Sequence, residues 1–208
     1  MTMEASTQPA PRRRTREQVQ TAVREAMLEL ISNKSFKDVT VDELARAAGL
    51  SRTAFYFYYP DKNAVLRSVS EEVAAELYRE ADRWWHGEGP PEQVVRTALE
   101  GIGSVYARHA GILRAALEAT TYDPDFDSFY RGVVQRFIDA TAEHLRDERA
   151  AGRLRSIDPK SSAEALVWMV ERCNFVFVVL EGRPAAELAS SLTELWITAL
   201  YPDTAPTP

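Results

Sequence analysis

Residues 40–62 of this 208-residue chain read TVDELARAAGLSRTAFYFYYPDK, and this stretch decides the fold. Thr40 and Glu43 have the spacing of a capping box, which predicts the start of a short helix. Gly49 is placed to end that helix, since glycine readily adopts the left-handed backbone found at many helix ends. Ser51 is a good N-cap for a second short helix, and the proline after its aromatic residues predicts where that helix ends. Two short helices joined by a glycine-containing turn predict a helix-turn-helix.

The aromatic run inside this stretch allows a second interpretation. Residues 54–59, AFYFYY, alternate as a β-strand does, and a short apolar run does not by itself distinguish strand from helix. The other β-like run, residues 174–180, fits a buried helix better. We expect a helix at 54–59, with a strand as the open alternative.

The second short helix carries side chains that suit contact with DNA. Arg52 and Thr53 lie at its N-terminal end, the part of a recognition helix that reads base edges. Tyr56 and Tyr58 have hydroxyl groups suited to phosphate oxygens. Lys62 lies in the first turn of the next helix, where the helix dipole disfavours a cation, so we expect a DNA phosphate as its partner. The complete predicted DNA-binding set is Thr40, Ser51, Arg52, Thr53, Tyr56, Phe57, Tyr58 and Lys62.

Composition and charge limit the class of protein. The 45% hydrophobic and 27% charged content is typical of a soluble globular protein. The single cysteine, Cys173, excludes an intrachain disulfide and favours the reducing cytoplasm. The net charge is −6, yet residues 1–67 hold eleven basic and eight acidic residues, whereas the rest holds fourteen and twenty-three. The basic excess therefore surrounds the helix-turn-helix, and the acidic body is kept off DNA.

The chain order predicts two domains between two disordered ends. Residues 1–14 are poor in apolar residues and end in arginines, which predicts a disordered basic arm; it either reaches the phosphates or minor groove, or is a solvated tail with a non-specific electrostatic role. Residues 15–67 form a three-helix DNA-binding head. Residues 68–202 form a helical body, and residues 203–208 a disordered tail. The fold class is all-α, with about nine helices.

A long helix from Asp61 is expected to join the two domains. Its apolar residues recur at four-residue steps from Val65, and two tryptophans lie at its far end. Gly101 and Gly103 lie in the next helix, where glycine is a poor helix former; they allow either close helix packing or room for a ligand.

Nothing in the sequence predicts catalysis, a cofactor or a bound metal ion. The three histidines are far apart and none has metal-ligand spacing. Cys173 lies in an apolar run, which predicts a buried, inert thiol. We therefore expect a protein that is not an enzyme.

Two stretches carry a family resemblance. Residues 39–66, above all FYFYYPDKNAVL (55–66), resemble the N-terminal domain of TetR-family transcriptional repressors. WMVERCNFVF (168–177) and LWITALY (195–201) resemble the ethionamide-resistance-regulator branch of that family. The resemblance implies a homodimer that binds a double-stranded operator and is released by an apolar small-molecule effector held in the helical body.

The aromatic residues of the body could fill its core or line this ligand site, and the resemblance favours a ligand site. Asn174 is an amide in an apolar helix, which is costly unless hydrogen-bonded, so it faces either a ligand or a partner. Val167 and Val170 replace asparagines expected for the branch, so its ligand specificity is not carried over. The predicted ligand-binding set is Trp84, Tyr106, Phe126, Phe129, Tyr130, Phe137, Trp168, Cys173, Asn174 and Phe177.

The last two helices have more apolar surface than one body covers, which predicts a subunit interface. The predicted interface set is Leu188, Leu192, Leu195, Trp196 and Ala199. The competing hypothesis is an all-α small-molecule carrier or enzyme whose N-terminal helices are structural. We favour the repressor, because a carrier has no reason to group Arg52, Thr53 and the helix tyrosines.

Overall fold

The computed structural model describes residues 14–202, in which there are nine α-helices and no strand. The all-α prediction is confirmed. Residues 54–58 are helical and Tyr59 is the C-cap of that helix, so the strand alternative is excluded. The helices are α1 (Arg16–Asn33), α2 (Val41–Ala47), α3 (Arg52–Tyr58), α4 (Lys62–Trp85), α5 (Pro91–Arg108), α6 (Ala110–Thr120), α7 (Pro124–Ala150), α8 (Pro159–Cys173) and α9 (Ala185–Leu200).

Helices α1, α2 and α3 pack as a small head, with side-chain caps at their starts. The predicted capping box of α2 is present in both directions between Thr40 and Glu43. The Ser51 hydroxyl oxygen accepts the Ala54 N–H at 3.1 Å and caps α3. Gly49 has φ of +67°, so the turn between α2 and α3 uses the left-handed conformation that glycine favours.

Arg14, the last residue of the predicted basic arm, contacts this head. One guanidinium nitrogen of Arg14 donates to the Ala48 carbonyl oxygen at 2.9 Å. Ala48 follows the last residue of α2, where carbonyl groups lack helical partners. The rest of the predicted arm and the tail at 203–208 lie outside the described residues.

A 3₁₀ turn, Phe36–Asp38, joins α1 to α2 and is held by two helices of the body. Lys62 of α4 binds carbonyl oxygens of this segment, as detailed below. The carboxylate of Glu118 on α6 accepts the backbone N–H groups of Phe36 at 3.1 Å and Lys37 at 3.0 Å. The turn is therefore attached to α4 through its carbonyl groups and to α6 through its N–H groups.

The body is formed by α4–α9, and α4 runs into it from the head. Helix α8 packs on α7, and α9 packs on α5. The chain continues from α8 as a π-helical segment, Asn174–Leu180. One cluster of buried side chains extends without a break from the head into the body, so the domain boundary near residue 67 stays a prediction. Within the described range, no helix is long and apolar enough to cross a membrane.

The two glycines of α5 have different surroundings. A Cβ atom added to Gly103 would lie 3.0 Å from the Cβ atom of Ala185 at the start of α9. A Cβ atom added to Gly101 would meet only the flexible end of the Glu80 side chain on α4. Of the two alternatives for these glycines, the structure supports close helix packing at Gly103.

Candidate DNA-binding surface and ligand cavity

Helix α3 presents one exposed face and buries the other. Phe55 is fully buried in the head and fixes the helix in place. Arg52 and Thr53 are exposed at the N-terminal end. Tyr56 is 45% exposed and Phe57 is 80% exposed. The face combines a cation, hydroxyl groups and an exposed aromatic ring, which are groups that contact phosphates, base edges and thymine methyl groups.

Arg52 is held in place by Asp42 of α2. One guanidinium nitrogen donates to both carboxylate oxygens, at 2.9 and 2.8 Å, and the other donates to the Tyr56 hydroxyl oxygen at 3.4 Å. The hydrogen bond that Arg52 donates to Asp42 raises the pKa of Arg52 above its usual value. The pair is exposed, and exposed ion pairs are weak, so Arg52 can exchange Asp42 for a base edge without loss of the fold.

The hydroxyl groups predicted to bind phosphate differ in availability. The Ser51 oxygen accepts a hydrogen bond, which leaves its own O–H free to donate. Thr40 instead donates its O–H to Glu43 at 2.8 Å inside the capping box. Tyr58 is half-buried, with its ring 5.2 Å from that of Phe57. Thr40 is therefore a weaker phosphate ligand than predicted.

Lys62 has hydrogen-bond partners inside the protein, and these stabilise its charge without the phosphate that we predicted as its partner. Its Nζ atom donates to the carbonyl oxygens of Phe36, Lys37 and Val39, each at 2.8 Å. It also lies 4.7 Å from the centre of the Phe36 ring. An ammonium group has three N–H donors, and all three are used. The cation that the helix dipole disfavours is stabilised by carbonyl groups of the 3₁₀ turn, which sequence spacing does not reveal.

A cavity of about 110 Å³ lies between the body helices. Seven of its residues come from α4, and α5 to α9 supply the others. The residues that line it are Ser70, Val73, Ala74, Leu77, Ala81, Trp84, Trp85, Val95, Ala98, Leu99, Ile102, Tyr106, Leu113, Ala116, Phe129, Tyr130, Val133, Val134, Phe137, Thr141, Val167, Val170, Glu171 and Trp196.

Half of the predicted ligand-binding residues line this cavity. They are Trp84, Tyr106, Phe129, Tyr130 and Phe137. The other five do not line it: Phe126, Trp168, Cys173, Asn174 and Phe177. Phe126 is fully buried in the neighbouring apolar cluster, and Phe177 lies beneath the guanidinium of Arg183, 4.5 Å from the ring centre. These side chains are therefore occupied elsewhere in the fold.

Asn174 and Cys173 also have local explanations. The Asn174 amide nitrogen donates to the Val170 carbonyl oxygen at 2.9 Å, one helical turn back. The amide is therefore satisfied inside its own helix, and needs neither a ligand nor a partner subunit. Burial, followed by the charge of Glu171, raises the pKa of the Cys173 thiol, in agreement with an inert cysteine. Among the described residues, no group of histidine, cysteine, aspartate and glutamate side chains could hold a metal ion.

Glu171 is the residue that the sequence analysis missed. It lines the cavity although only 6% of it is exposed. The Tyr130 hydroxyl donates to its Oε1 atom at 2.5 Å, and its Oε2 atom is buried without a hydrogen bond. A carboxylate inside an otherwise apolar helix was a signal available in the sequence.

Two of the five predicted interface residues face the interior of their own subunit. Leu192 and Trp196 are 2% and 5% exposed, and the Trp196 ring packs edge-on against Trp84 with centres 4.8 Å apart. Both side chains are packed inside one subunit, which does not support the prediction that they contact a partner. Leu195 is 54% exposed and Ala199 is exposed.

Comparison with known proteins agrees with this architecture. Residues 23–69 match the family described as "Bacterial regulatory proteins, tetR family", and residues 95–202 match "Transcriptional regulator EthR, C-terminal domain". The chain is 31% identical over 180 residues to the HTH-type transcriptional regulator EthR of Mycolicibacterium smegmatis, covering 83% of this chain and 81% of that protein. Identity to EthR of Mycobacterium tuberculosis is 29% over 185 residues, covering 83% and 82%.

Solved structures share the fold at low sequence identity. NalD, the secondary repressor of the MexAB-OprM multidrug efflux pump in Pseudomonas aeruginosa, superposes with a TM-score of 0.72 at 17% identity, covering 90% of this chain and 98% of NalD. SmeT, the repressor of the Stenotrophomonas maltophilia pump SmeDEF, gives 0.71 at 19% identity, covering 94% of each chain. With a helix-turn-helix head, an EthR-like helical body and a 31% identical relative matched over most of its length, the chain belongs to the TetR family of bacterial transcriptional regulators.

Proposed function

We propose that this protein is a transcriptional repressor that binds a palindromic operator as a homodimer and is released by a largely apolar small molecule. The observation that carries the proposal is the path of α4. This one helix begins beside the helix-turn-helix at Lys62 and supplies seven residues to the cavity. NalD and SmeT are named as repressors, in line with repression here. Such a regulator works beside the chromosome, so we place it in the cytoplasm.

The exposed face of α3 supports a specific division of DNA contacts. Arg52 and Thr53 read base edges from the N-terminal end of the helix. Phe57, with most of its ring exposed, meets a thymine methyl group. Ser51 and Tyr56 donate to phosphates. Two heads reach successive major grooves, about 34–36 Å apart or a multiple of this.

A partly exposed apolar stripe supports a dimer through α8 and α9. Leu180 and Leu195 are 53% and 54% exposed. Trp168 and Met169 of α8 are only half-buried within the subunit, so Trp168 moves from the ligand set to the proposed interface. Two copies of α8 and α9 would cover this surface as an intersubunit four-helix bundle.

Release of the operator depends on a ligand that binds one conformation of the dimer more tightly than another. A ligand that fills the cavity pushes on α4, and tilting α4 changes the separation of the two heads. The ligand weakens DNA binding only if it binds more tightly to the conformation in which the two heads are further apart. A tenfold loss of operator affinity corresponds to about 1.4 kcal/mol of coupling, and operator DNA must weaken ligand binding by the same factor.

The test is binding to the DNA that flanks the gene of this protein, with fluorescence anisotropy as the readout. We expect binding that weakens as salt is added. Arg52→Ala should reduce the preference for this sequence, whereas Arg96→Ala, at a half-buried position on α5 of the body, should leave that preference unchanged. Absence of preference for this DNA over unrelated duplex would contradict the repressor. A carrier would keep small-molecule binding and lack operator binding.

A further inference from the structure

The cavity contains an unusual combination of groups. It is lined by apolar and aromatic side chains, and Glu171 is the one charged residue among those described around it. Glu171 is 94% buried, since its exposed fraction is 6%. A buried carboxylate is costly unless it is paired and hydrogen-bonded. Ser70, Trp85 and Trp196 of the lining also carry buried polar atoms without a hydrogen bond, but these groups are neutral. Glu171 and its partners therefore determine which charge on a ligand the cavity favours.

One carboxylate oxygen of Glu171 is satisfied and the other is not. Oε1 accepts the Tyr130 O–H at 2.5 Å. Burial raises the pKa of Tyr130 well above its usual value, so the phenol keeps its proton and donates. Oε2 is buried with no hydrogen bond. The Tyr130 contact therefore fixes the carboxylate group while its second oxygen keeps an unused acceptor.

Arg172 compensates the charge only in part. Its Nε atom lies 3.5 Å from Oε2 without a hydrogen bond, and its side chain is 51% exposed. Its guanidinium carbon lies 5.6 Å from the centre of the Phe175 ring. Arg172 therefore leaves the hydrogen-bonding capacity of Oε2 unfilled, and the groups lining the cavity bring no second cation.

We propose that the effector of this cavity is an apolar molecule with one protonated amine, which donates to Oε2 of Glu171 and rests against the surrounding aromatic rings. This inference rests on the proposed ligand-responsive function and names the chemical class of the ligand. The rings of Tyr106, Phe129 and Phe137 line the same cavity, and aromatic faces attract organic cations. An engineered apolar cavity of about 150 Å³ binds benzene, so a cavity of about 110 Å³ suits an aryl or short alkyl group.

The test uses three compounds of similar shape that are small enough for this cavity: benzylamine, benzyl alcohol and benzoate. Calorimetric titration at neutral pH should show the amine binding about tenfold or more tightly than the alcohol, as expected for a charge-assisted hydrogen bond, and the acid binding weakest. Glu171→Gln should remove the preference for the amine over the alcohol. Glu164→Gln removes an exposed carboxylate from the same helix α8 and should leave the preference intact.

The outcomes separate this inference from the proposed function. In the unsubstituted protein, equal affinities for the amine and the alcohol overturn the inference, and so does the absence of binding by all three compounds. A preference for the amine that persists in Glu171→Gln overturns it as well. Each complex is then titrated with operator DNA. If all three compounds release DNA equally, the repressor stands and the amine specificity falls. If the amine binds through Glu171 but leaves DNA bound, the specificity stands and effector-driven release falls.

Discussion

Replacement of Lys62 by methionine tests the assignment of this residue to the fold rather than to DNA. The variant keeps the length of the side chain and removes three hydrogen bonds to carbonyl oxygens. Two of these are partly buried and one is exposed. A hydrogen bond to a charged group contributes about 1.5–3 kcal/mol to stability, whereas the exposed bond adds little. Burial of the ammonium group lowers the pKa of Lys62, and the cost of this burial offsets part of the stability that the hydrogen bonds provide. We expect a net loss of about 2–4 kcal/mol, which lowers Tm by about 4–16 °C for a protein of this size.

The assay is thermal unfolding without DNA, followed by operator titration over a range of salt concentrations. Lys37→Met is the matched control, because Lys37 is exposed on the same 3₁₀ turn, and its Tm should stay within about 2 °C. At a temperature where Lys62→Met is folded, its salt slope should match that of the unsubstituted protein. A Tm that is unchanged, together with a salt slope lowered by about one, would refute our assignment and restore Lys62 as a phosphate ligand.

Three further predictions concern the other assigned residues. The pKa of Glu43 is lowered from 4.5 to about 2, chiefly by the hydrogen bond that Lys34 donates to it. The stability that the ionised Glu43 contributes is therefore present above pH 4.5 and is lost as the pH falls toward 2. An NMR titration should show this low pKa, and Lys34→Met should raise the pKa of Glu43. In sedimentation, Leu195→Glu should be monomeric, with a Tm that is little changed. Leu192→Glu should instead destabilise the folded subunit by about 3 kcal/mol or more. An unsubstituted protein that is monomeric at micromolar concentration would contradict the proposed interface. Phe57→Ala should weaken operator binding by about 1–3 kcal/mol without lowering Tm, and an unchanged affinity would remove Phe57 from the DNA surface.

The helices could be predicted from local signals, because each depends on residues close in sequence. Thr40 with Glu43 and Ser51 at the start of α3 are caps that act over three residues. The AFYFYY run was ambiguous in period, and its helical state depends on Phe55 entering the head core. Contacts that close over long sequence distances were not predictable: Lys62 meets carbonyl groups 23 to 26 residues earlier.

Half of the residues predicted to bind a ligand line the cavity, and the sequence could not identify the rest. Helical periodicity finds apolar faces, but it does not distinguish a wall of a cavity from a filled core, or the interior of one subunit from an interface. Phe126, buried in the filled core, and Leu192, buried inside its own subunit, illustrate these two ambiguities. Phe177 lies in the π-helical segment, where hydrogen bonds span five residues rather than four, so an α-helical projection from α8 assigns its direction wrongly.

The attachment of the 3₁₀ turn Phe36–Asp38 also constrains how the head can move. The turn is bound to α4 through Lys62 and to α6 through Glu118, and α6 contributes Leu113 and Ala116 to the cavity wall. When α6 shifts relative to α4, these two attachment sites separate, so the head must reorient or the turn must detach from one helix. The orientation of the head therefore depends on the difference between the displacements of the two helices, and a ligand that moved both together would carry the head with them without reorienting it.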